Sequence, residues 1–240
     1  MRILVFNSKG GCGKSLVARE IIAAPKATDF VIAEIDELNR TQASYKECFK
    51  AVLQLSKETV KELLIYLNEH ENIVIDVGAD NLSATLQDFV QFNLFEDIDK
   101  VVIPLGPGRT DCENALKTYQ AITHFCSNII FVFNRADPNL SLEVQFPVFF
   151  NNVLKIIPNF SDEMIVTVTE SDIFLDAHNQ KKLVTELAED IDYKTAALTA
   201  KSEGDTVKFR TLMEQELNKR AAKILLEKTI IPAHKKIMMK

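Results

Sequence analysis

The chain has 240 residues, of which 47% are hydrophobic, and its formal net charge at pH 7 is −6. This length and composition allow one sizeable core, or one core with a small appendage. No run approaches the length of about eighteen apolar residues that a transmembrane helix needs, so that class is excluded. The cysteines form no C-x-x-C pair and fit reduced structural thiols better than a disulfide framework; they are Cys12, Cys48, Cys112 and Cys126. The first predicted strand begins at Arg2 or Ile3 and leaves no room for a signal peptide, so we expect a cytoplasmic protein.

Short runs rich in Val, Ile and Phe alternate along the chain with longer amphipathic segments, a pattern typical of α/β proteins. The short runs predict strands near 2–7, 30–35, 72–77, 100–105, 128–134 and 164–169. The amphipathic segments predict helices over Lys14–Ala24, from Ser56 onward, and near 82–94, 110–125, 174–190 and 207–230. We expect a mainly parallel, twisted sheet with right-handed connections and with helices on both faces.

Breaking and capping residues add detail to three of the helices. Pro25 ends the first helix, and Ser56 is placed to cap a helix. The apolar face of that second helix consists of Val60, Leu63, Leu64 and Leu67. The last helix has an apolar stripe of Met213, Leu217, Ala221, Ile224 and Leu225. Residues 138–163 show no readable pattern, because two prolines interrupt a stretch rich in Phe and Asn.

The charge is distributed unevenly along the chain. Residues 201–240 contain ten Lys or Arg and five Asp or Glu, a net charge of +5, whereas residues 1–200 contain 18 and 29, a net charge of −11. We take residues 1–195 as the main domain and residues 196–240 as its C-terminal helical extension. The basic extension favours an anionic partner.

The segment Asn7–Ser15, NSKGGCGKS, lies between the first predicted strand and the first predicted helix. Glycines without a Cβ let the backbone turn sharply and bring its N–H groups close to phosphate oxygens. The N-terminus of the following helix attracts the same anion. Lys14 can reach the β- and γ-phosphates and the Ser15 hydroxyl can bind Mg²⁺. The predicted nucleotide contacts are Gly10, Gly11, Cys12, Gly13, Lys14, Ser15 and Leu16; the alternative is an ordinary Gly-rich turn.

The segment departs from the standard pattern G-x-x-x-x-G-K-[ST], because Ser8 occupies the first glycine position. With the additional Lys9 it resembles the deviant Walker A motif of the ParA/MinD family of ATPases. The resemblance implies that Lys9 contacts phosphate, often across a dimer that encloses two ATP molecules. It also implies hydrolysis of MgATP, with Lys9, Lys14 and Asp36 as the catalytic residues.

Two acids at strand ends are candidates for the metal site. Asp76 follows the apolar run Ile73–Ile75 and can hold Mg²⁺ with Ser15, as a Walker B aspartate does; the alternative is a turn-forming Asp. Glu34-Ile35-Asp36 resembles the family's D-x-D-P-Q segment, which places Asp36 near the metal and the attacking water. The match is partial, because Glu34 replaces the first Asp and Glu37-Leu38 replace Pro-Gln. A surface turn acid is the alternative for Asp36, and the substitutions leave the hydrolysis rate open.

Two further strand ends resemble the family. After the run 101–105, Asp111 is placed to cap a helix, and Arg109 is either a phosphate or DNA contact or a solvated charge. After the fifth strand, Asn134 and Arg135 occupy a place beside the base, where Asn134 offers a donor and an acceptor to adenine. The competing interpretation is a guanine motif of the N-K-x-D type, in which Asp137 binds the base.

The resemblance implies an ATP-dependent homodimer that works with a partner, such as a DNA-binding adaptor, in plasmid or DNA partition. Lys219, Arg220 and Lys223 cluster beside the apolar stripe and could contact DNA phosphates; the alternative is a solvated face. A MinD-like membrane switch is a second possibility, but Pro232 leaves too short a helix for an interfacial anchor. The third is a nucleotide-gated binding module with little turnover.

Overall fold

The computed structural model describes residues 1–36, 41–56, 59, 62–79 and 82–239. In this part of the chain seven parallel strands form one sheet in the order β3-β2-β4-β1-β5-β6-β7. The strands are β1 Arg2–Val5, β2 Val31–Ile35, β3 Ala51–Leu55, β4 Ile73–Val77, β5 Lys100–Leu105, β6 Ile129–Ala136 and β7 Ile165–Thr169. The predicted α/β class and the parallel sheet are confirmed.

All six strands predicted from the sequence are present, and β3 is the strand that the sequence pattern missed. The central strands are buried on both faces, so their sequences are continuous apolar runs that are easy to recognise. Strand β3 lies at the edge of the sheet, and only Leu55 within it is fully buried. The strand at the other edge, β7, was predicted because its buried and less buried residues alternate, and β3 shows no such alternation.

Helices connect the strands and cover both faces of the sheet. They are α1 Lys14–Leu16, α2 Leu63–Glu69, α3 Leu82–Gln91, α4 Arg109–Ile122, α5 Leu142–Gln145, α6 Pro147–Ile156, α7 Ile173–Gln180, α8 Val184–Leu187, α9 Tyr193–Ser202, α10 Thr206–Leu225 and α11 Ile231–Met238. Helix α1 continues as a π-helical stretch, Val17–Ala23, and Pro25 then lies in the 3-10 turn Ala24–Asp29. The first helix therefore ends next to Pro25, as predicted.

The helix predicted to begin at Ser56 is shorter than expected. Helix α2 begins at Leu63, and the Ser56 backbone N–H donates to the Thr59 hydroxyl at 2.8 Å, so Ser56 belongs to a local turn and does not cap the helix. Leu63 and Leu67 are fully buried, whereas Leu64 is 41% exposed and is not part of the packed face. Val60 lies outside the described residues.

Residues 138–163 fold into an aromatic layer on one face of the sheet. Helices α5 and α6 bring Phe146 and Phe149 against Phe133 of β6, with ring centroids 4.9 and 5.0 Å apart in edge-to-face geometry. Edge-to-face pairs are favoured over face-to-face sandwiches by the ring quadrupoles. Pro147 lies in the first turn of α6, where proline is tolerated, so it starts this helix instead of breaking it.

The C-terminal region is more helical than the sequence pattern predicted. The polar passage expected from residue 196 is helix α9, which packs against α10. The chain then continues through a π-helical stretch, Leu226–Ile230, into α11, whose first turn contains Pro232. Pro232 therefore does not end the helical region, because a proline in the first turn removes no hydrogen bond that the helix requires.

The face that α10 buries differs from the predicted apolar stripe. Leu217 and Ile224 are 60% and 55% exposed, whereas Glu216, Lys219 and Ala222 are buried. The helix turns an ion pair inward: the Lys219 ammonium lies 2.7 Å from a Glu216 carboxylate oxygen and donates to the Ile191 carbonyl oxygen at 2.6 Å. Periodicity of apolar residues does not detect such a face.

Two buried basic side chains, Lys100 and His234, hold helix α11 against the rest of the protein. The Lys100 ammonium of β5 donates to the Ile237 and Met239 carbonyl oxygens at 2.7 and 2.6 Å, at the C-terminal end of the helix. His234 Nδ1 lies 3.1 Å from the carbonyl oxygen of Ile22, a residue of the π-helical stretch that follows helix α1. Since a carbonyl only accepts, Nδ1 carries a proton in this contact.

We expect His234 to make folding stability depend on pH. Burial lowers the pKa of His234, so as the pH falls below about 6.5 the unfolded chain is protonated before the folded chain and stability declines. The slope approaches at most about 1.4 kcal/mol per pH unit. Urea unfolding between pH 7.5 and 5.5 should show a smaller loss in His234→Gln than in wild type. The control His124→Gln, at an exposed position, should keep the wild-type loss; equal losses in all three proteins would contradict the prediction.

Candidate nucleotide-binding site

The loop between β1 and α1 has the backbone geometry that its glycines permit. Gly11 and Gly13 have φ angles of 76° and 94°, a region that residues with a Cβ rarely adopt. A Cβ at Gly13 would also collide with the Asn134 side-chain amide. The loop is fastened on its other side by the fully buried Asn7, which donates to the Pro104 carbonyl oxygen at 2.6 Å and accepts from the Lys9 N–H at 3.0 Å.

The two lysines of the loop occupy different environments. Lys14 is 7% exposed, and its ammonium donates to the Lys9 carbonyl oxygen at 2.9 Å. The positive charge of Lys14 is thus held at the opening of the loop, where a bound phosphate would compete with the Lys9 carbonyl oxygen for it. Lys9 is half-buried, and its backbone supplies contacts to Asn7, Cys12 and Lys14. The backbone of Lys9 therefore shapes the loop while its side chain remains available for another contact.

The predicted metal residues lie together at the carboxyl end of the sheet. Asp76 of β4 is 2% exposed and accepts a hydrogen bond from the Ser15 side chain. Asp36 follows the neighbouring strand β2, and its carboxylate lies against Gly78, directly after β4. Burial raises the pKa of Asp76 above its ordinary value, and a cation bound beside this carboxylate would oppose that effect.

These residues fit Mg²⁺. Hydroxyl and carboxylate oxygens are its preferred protein ligands, and one or two of them are sufficient when phosphates and waters complete the shell. Within the described ranges no group of three or more His, Cys, Asp or Glu residues could hold a metal on its own. Ser15 and Asp76 would therefore hold Mg²⁺ together with the nucleotide, with Asp36 close by.

The Glu34 carboxylate holds neighbouring segments of the chain in place beside the metal residues and does not face the glycine loop. Its carboxylate is 1% exposed and accepts from the Thr41 N–H and hydroxyl, each at 2.9 Å, and from the Gln54 amide at 2.6 Å. It also accepts from the Gln42 N–H. Burial raises the pKa of Glu34. The residue that replaces the first Asp of the family's segment is thus structural; Glu37 and Leu38 lie outside the described residues.

Two adjoining cavities follow the loop. The first, of 350 Å³, is lined by Gly10, Lys14, Ser15, Asp36 and Gly78, among others, and surrounds the predicted phosphate and metal positions. The second, of 460 Å³, extends from Gly13 past Asn134 and Arg135 to the end of β7 and to α7. The two cavities share the walls formed by Gly11, Gly13, Ser15, Leu16 and Thr41. Their sizes suit a triphosphate in the first and a nucleoside in the second.

Asn134 and Arg135 line the second cavity as predicted, but Asn134 is already engaged. Its amide nitrogen donates to the Cys12 carbonyl oxygen at 3.2 Å, and its oxygen accepts from the Arg135 N–H at 3.1 Å. Asn134 therefore holds the loop in place. Arg135 adopts a positive φ of 58° and reaches Asp111 at 3.5 Å.

Three neighbouring predictions are corrected. Asp111 does not cap α4, because the helix begins two residues earlier, after Gly108; Asp111 instead pairs with Arg135. Arg109 is an exposed partner of Glu113 one helical turn away, which makes it the solvated charge of the two alternatives. The Asp137 carboxylate accepts from the Asn139 N–H at 2.8 Å in a local turn and does not line the cavity, so the guanine motif has no support.

The sequence analysis missed a buried group in the wall of the second cavity. Arg19 forms an ion pair with Glu20 at 2.8 Å, and its guanidinium lies 4.1 Å from the centre of the Tyr45 ring. The Tyr45 hydroxyl lies 3.0 Å from His178 Nδ1 of α7. These residues come from three separate parts of the chain, and no local pattern in the sequence joins them.

The three cations of the predicted DNA-binding cluster all have acidic side chains beside them. Lys219 and Arg220 both lie within 2.8 Å of the Glu216 carboxylate, and Lys223 lies 3.0 Å from Asp190. Lys219 is also buried. Each of the three cations therefore already has an acidic partner, and the cluster is not a free basic face.

No protein-family model and no curated protein sequence matches the chain. Solved structures match its fold at low sequence identity. A putative plasmid partition protein from Borrelia burgdorferi bound to AMPPNP gives a TM-score of 0.53 at 15% identity, covering 91% of this chain and 98% of that one. Apo McdA from Cyanothece gives 0.52 at 12% identity, covering 89% and 98%.

The septum site-determining protein MinD from Pyrococcus horikoshii, complexed with Mg-ADP, gives a TM-score of 0.52 at 12% identity, covering 77% of this chain and 87% of that one. At such identities the likeness concerns the arrangement of the backbone. That arrangement is the parallel seven-stranded sheet with the glycine loop after its central strand. The chain therefore has the ParA/MinD-like fold of the P-loop NTPases, as the resemblance of its glycine loop predicted.

Proposed function

We propose that the chain is a ParA-like ATPase that binds MgATP and uses it as a dimerisation switch. One observation carries the proposal: Lys14, Ser15 and Asp36 line a single cavity at the carboxyl end of the sheet, and the buried Asp76 lies directly behind Ser15. Ligands of open α/β sheets bind at this edge. The nucleoside would occupy the adjoining cavity beside Asn134 and Arg135.

The chemistry assigned to these residues is hydrolysis of the β–γ bond, which depends on positioning and charge stabilisation. The Gly10–Leu16 backbone N–H groups and Lys14 would hold the phosphates. A bound Mg²⁺ would neutralise charge on the β- and γ-phosphate oxygens. Asp36 would orient the attacking water, since its carboxylate borders the phosphate cavity.

The proposed output is the positioning of DNA, such as a plasmid, with a DNA-binding adaptor as partner. One observation favours it over membrane attachment. Helix α11 is packed onto the body through buried Ile237 and the Lys100 contacts, so it is not an unattached amphipathic tail. Within the described residues no helix combines the length and apolar character needed to cross a membrane. A nucleotide-gated binding module with little turnover is the second candidate function. Glu34 favours it, because its carboxylate is already hydrogen-bonded to other residues of the chain. Steady-state phosphate release, measured with and without DNA, separates the two candidates.

We expect ATP-dependent dimerisation to require Lys9. Its side chain is half-buried at the loop and enters no salt bridge in the described part of the chain, whereas Lys14 already covers the loop's own phosphate position. Lys9→Ala should therefore abolish the dimer formed with a non-hydrolysable ATP analogue, as measured by light scattering, and weaken ATP binding only slightly. A strictly monomeric wild type, or equal losses of nucleotide affinity in Lys9→Ala and Lys14→Ala, would contradict a role across the interface.

If the dimer binds DNA, we expect the exposed cations of the α9–α10 hairpin to contact it. Lys201, Lys208 and Arg210 are exposed, and none forms a salt bridge with a described residue. Replacing the three with Ala should weaken binding to any DNA sequence and reduce the log–log salt slope by about 0.9 for each lost contact. The control is the double variant Arg220→Ala with Lys223→Ala, which replaces two paired cations and should leave the salt slope unchanged. A reduced slope in this control, with an unchanged slope in the triple variant, would instead support DNA contacts by the cluster predicted from the sequence.

A further inference from the structure

Gln42 lies in the short 3-10 turn Gln42–Tyr45 that follows β2, and its side chain is fully buried. Its amide nitrogen donates to the Ser15 carbonyl oxygen at 3.0 Å and to Asp76 Oδ2 at 2.9 Å. Gln42 therefore joins the two residues assigned to Mg²⁺, although it belongs to a different part of the chain from either.

The amide oxygen of Gln42 lacks a hydrogen bond. Oε1 is buried and has no partner among the described residues, whereas buried polar atoms are paired in the great majority of cases. Exchanging the oxygen and nitrogen of the amide does not help, because the oxygen would then face the Ser15 carbonyl and the Asp76 carboxylate, which are both acceptors. The orphaned acceptor thus lies on the same planar group as the nitrogen that contacts both metal residues.

A water molecule bound to the metal is a donor of the kind that Oε1 lacks. Mg²⁺ keeps several waters when it binds through one or two protein ligands and phosphates, and residues outside the ligand set orient those ligands. We propose that Gln42 is a positioning residue of the metal site. Its Nε2 orients Asp76, and its Oε1 accepts a hydrogen bond from a metal-bound water. The inference rests on the proposed function, because it requires the nucleotide and Mg²⁺ to bind at this loop.

The backbone around Gln42 gives this contact a consequence beyond the metal. The N–H groups of Thr41 and Gln42 donate to the buried Glu34 carboxylate, and Tyr45, at the end of the same turn, contacts His178 in the wall of the second cavity. A water held by Oε1 would therefore tie the metal to a segment that touches both cavities. Gln42 is the residue through which metal binding would affect the turn.

The test compares nucleotide affinity with and without the metal. Gln42→Met keeps the side-chain volume but removes both the donor and the acceptor. Calorimetry with a non-hydrolysable ATP analogue, in excess Mg²⁺ and again in EDTA, gives two dissociation constants whose ratio is the contribution of the metal. We expect the ratio to fall about 10- to 100-fold in Gln42→Met, with the affinity in EDTA nearly unchanged.

Two other variants identify the working atom. Gln54→Met is the matched control, because the Gln54 amide donates to Glu34 and has no hydrogen bond to Ser15 or Asp76; it should keep the wild-type ratio. Gln42→Lys keeps a donor toward the Ser15 carbonyl and Asp76 but has no acceptor, so its ratio should fall as in Gln42→Met. A wild-type ratio in Gln42→Lys would overturn the assignment to Oε1.

A wild-type ratio in Gln42→Met, or equal losses of affinity with and without Mg²⁺, would show a purely structural role and overturn the proposal. If the variants do not fold, nuclear magnetic resonance of the wild type decides: the Gln42 side-chain amide signal should shift when Mg²⁺ is added to the nucleotide complex, and an unchanged signal overturns the proposal. If the wild type binds no nucleotide in either condition, the proposed function fails, and this inference fails with it.

Discussion

Lys14→Ala should weaken ATP binding by about thirtyfold or more. The Lys14 ammonium is nearly buried and spans the mouth of the loop to the Lys9 carbonyl oxygen. Removing one partner of a buried, charge-assisted contact costs about 2–5 kcal/mol, and each 1.4 kcal/mol corresponds to about a tenfold change in affinity. Calorimetric titration with MgATP measures the loss directly.

The fold should survive this substitution, because the side chain of Lys14 lines the phosphate cavity and, among the described residues, hydrogen-bonds only to the Lys9 carbonyl oxygen. Lys155→Ala is the matched control: Lys155 is exposed on α6, lines neither cavity, and should bind MgATP as the wild type does. Unchanged affinity in a folded Lys14→Ala would refute the site assignment. A competition titration with GTP tests the base at the same time, and displacement of ATP by an equal or lower concentration of GTP would reverse the choice of adenine.

The parts of the site that were predictable are those in which one short segment carries the whole signal. Asn7–Ser15 contains a strand end, the glycines, the lysine and the hydroxyl in sequence, so the loop could be assigned without knowledge of the fold. Asp76 closes a continuous apolar strand, and parallel strands end at the same edge of a sheet. Its position beside Ser15 follows from the topology once the loop is placed after β1.

The parts that were missed depend on contacts between distant segments. Gln42 reaches Asp76, 34 positions later, only because β2 and β4 are neighbours in the sheet. The pairing of Lys223 with Asp190 also changes how the basic cluster is interpreted, since Asp190 lies 33 positions earlier and approaches from outside the helix. Composition alone could not show this, because a charge count does not record which partner each cation has.

Asn134 illustrates a residue whose place was predicted and whose role was not. It lies beside the second cavity as expected, yet both ends of its amide are bonded to the protein. The contact with Cys12 means that the loop and the end of β6 are fixed to each other. Any change at this contact should affect the stability of the fold and nucleotide binding together, which makes the glycine opposite Asn134 the most sensitive position of the loop.

Gly13→Ala should destabilise the protein by about 2–5 kcal/mol, as the sum of two effects. A Cβ at the φ of 94° costs about 1–2 kcal/mol of backbone strain. The new methyl group would also meet the Asn134 amide far inside van der Waals contact, and forcing that side chain away breaks its bond to Cys12, at a cost of about 1–3 kcal/mol. Urea denaturation measures the sum, and MgATP affinity should fall with it because the loop is displaced.

Gly11→Ala separates the two effects. Gly11 also has a positive φ, of 76°, but a Cβ there would have no atom within 4 Å, so only the backbone strain applies. Its loss of stability should therefore be clearly smaller than that of Gly13→Ala. In the double variant Gly13→Ala with Asn134→Ala the collision is absent, and the additional cost of the Gly13 substitution should drop to that of Gly11→Ala. If the Gly13 cost is the same with and without the Asn134 side chain, the contact between β6 and the loop does not determine the sensitivity of this position, and backbone conformation alone does.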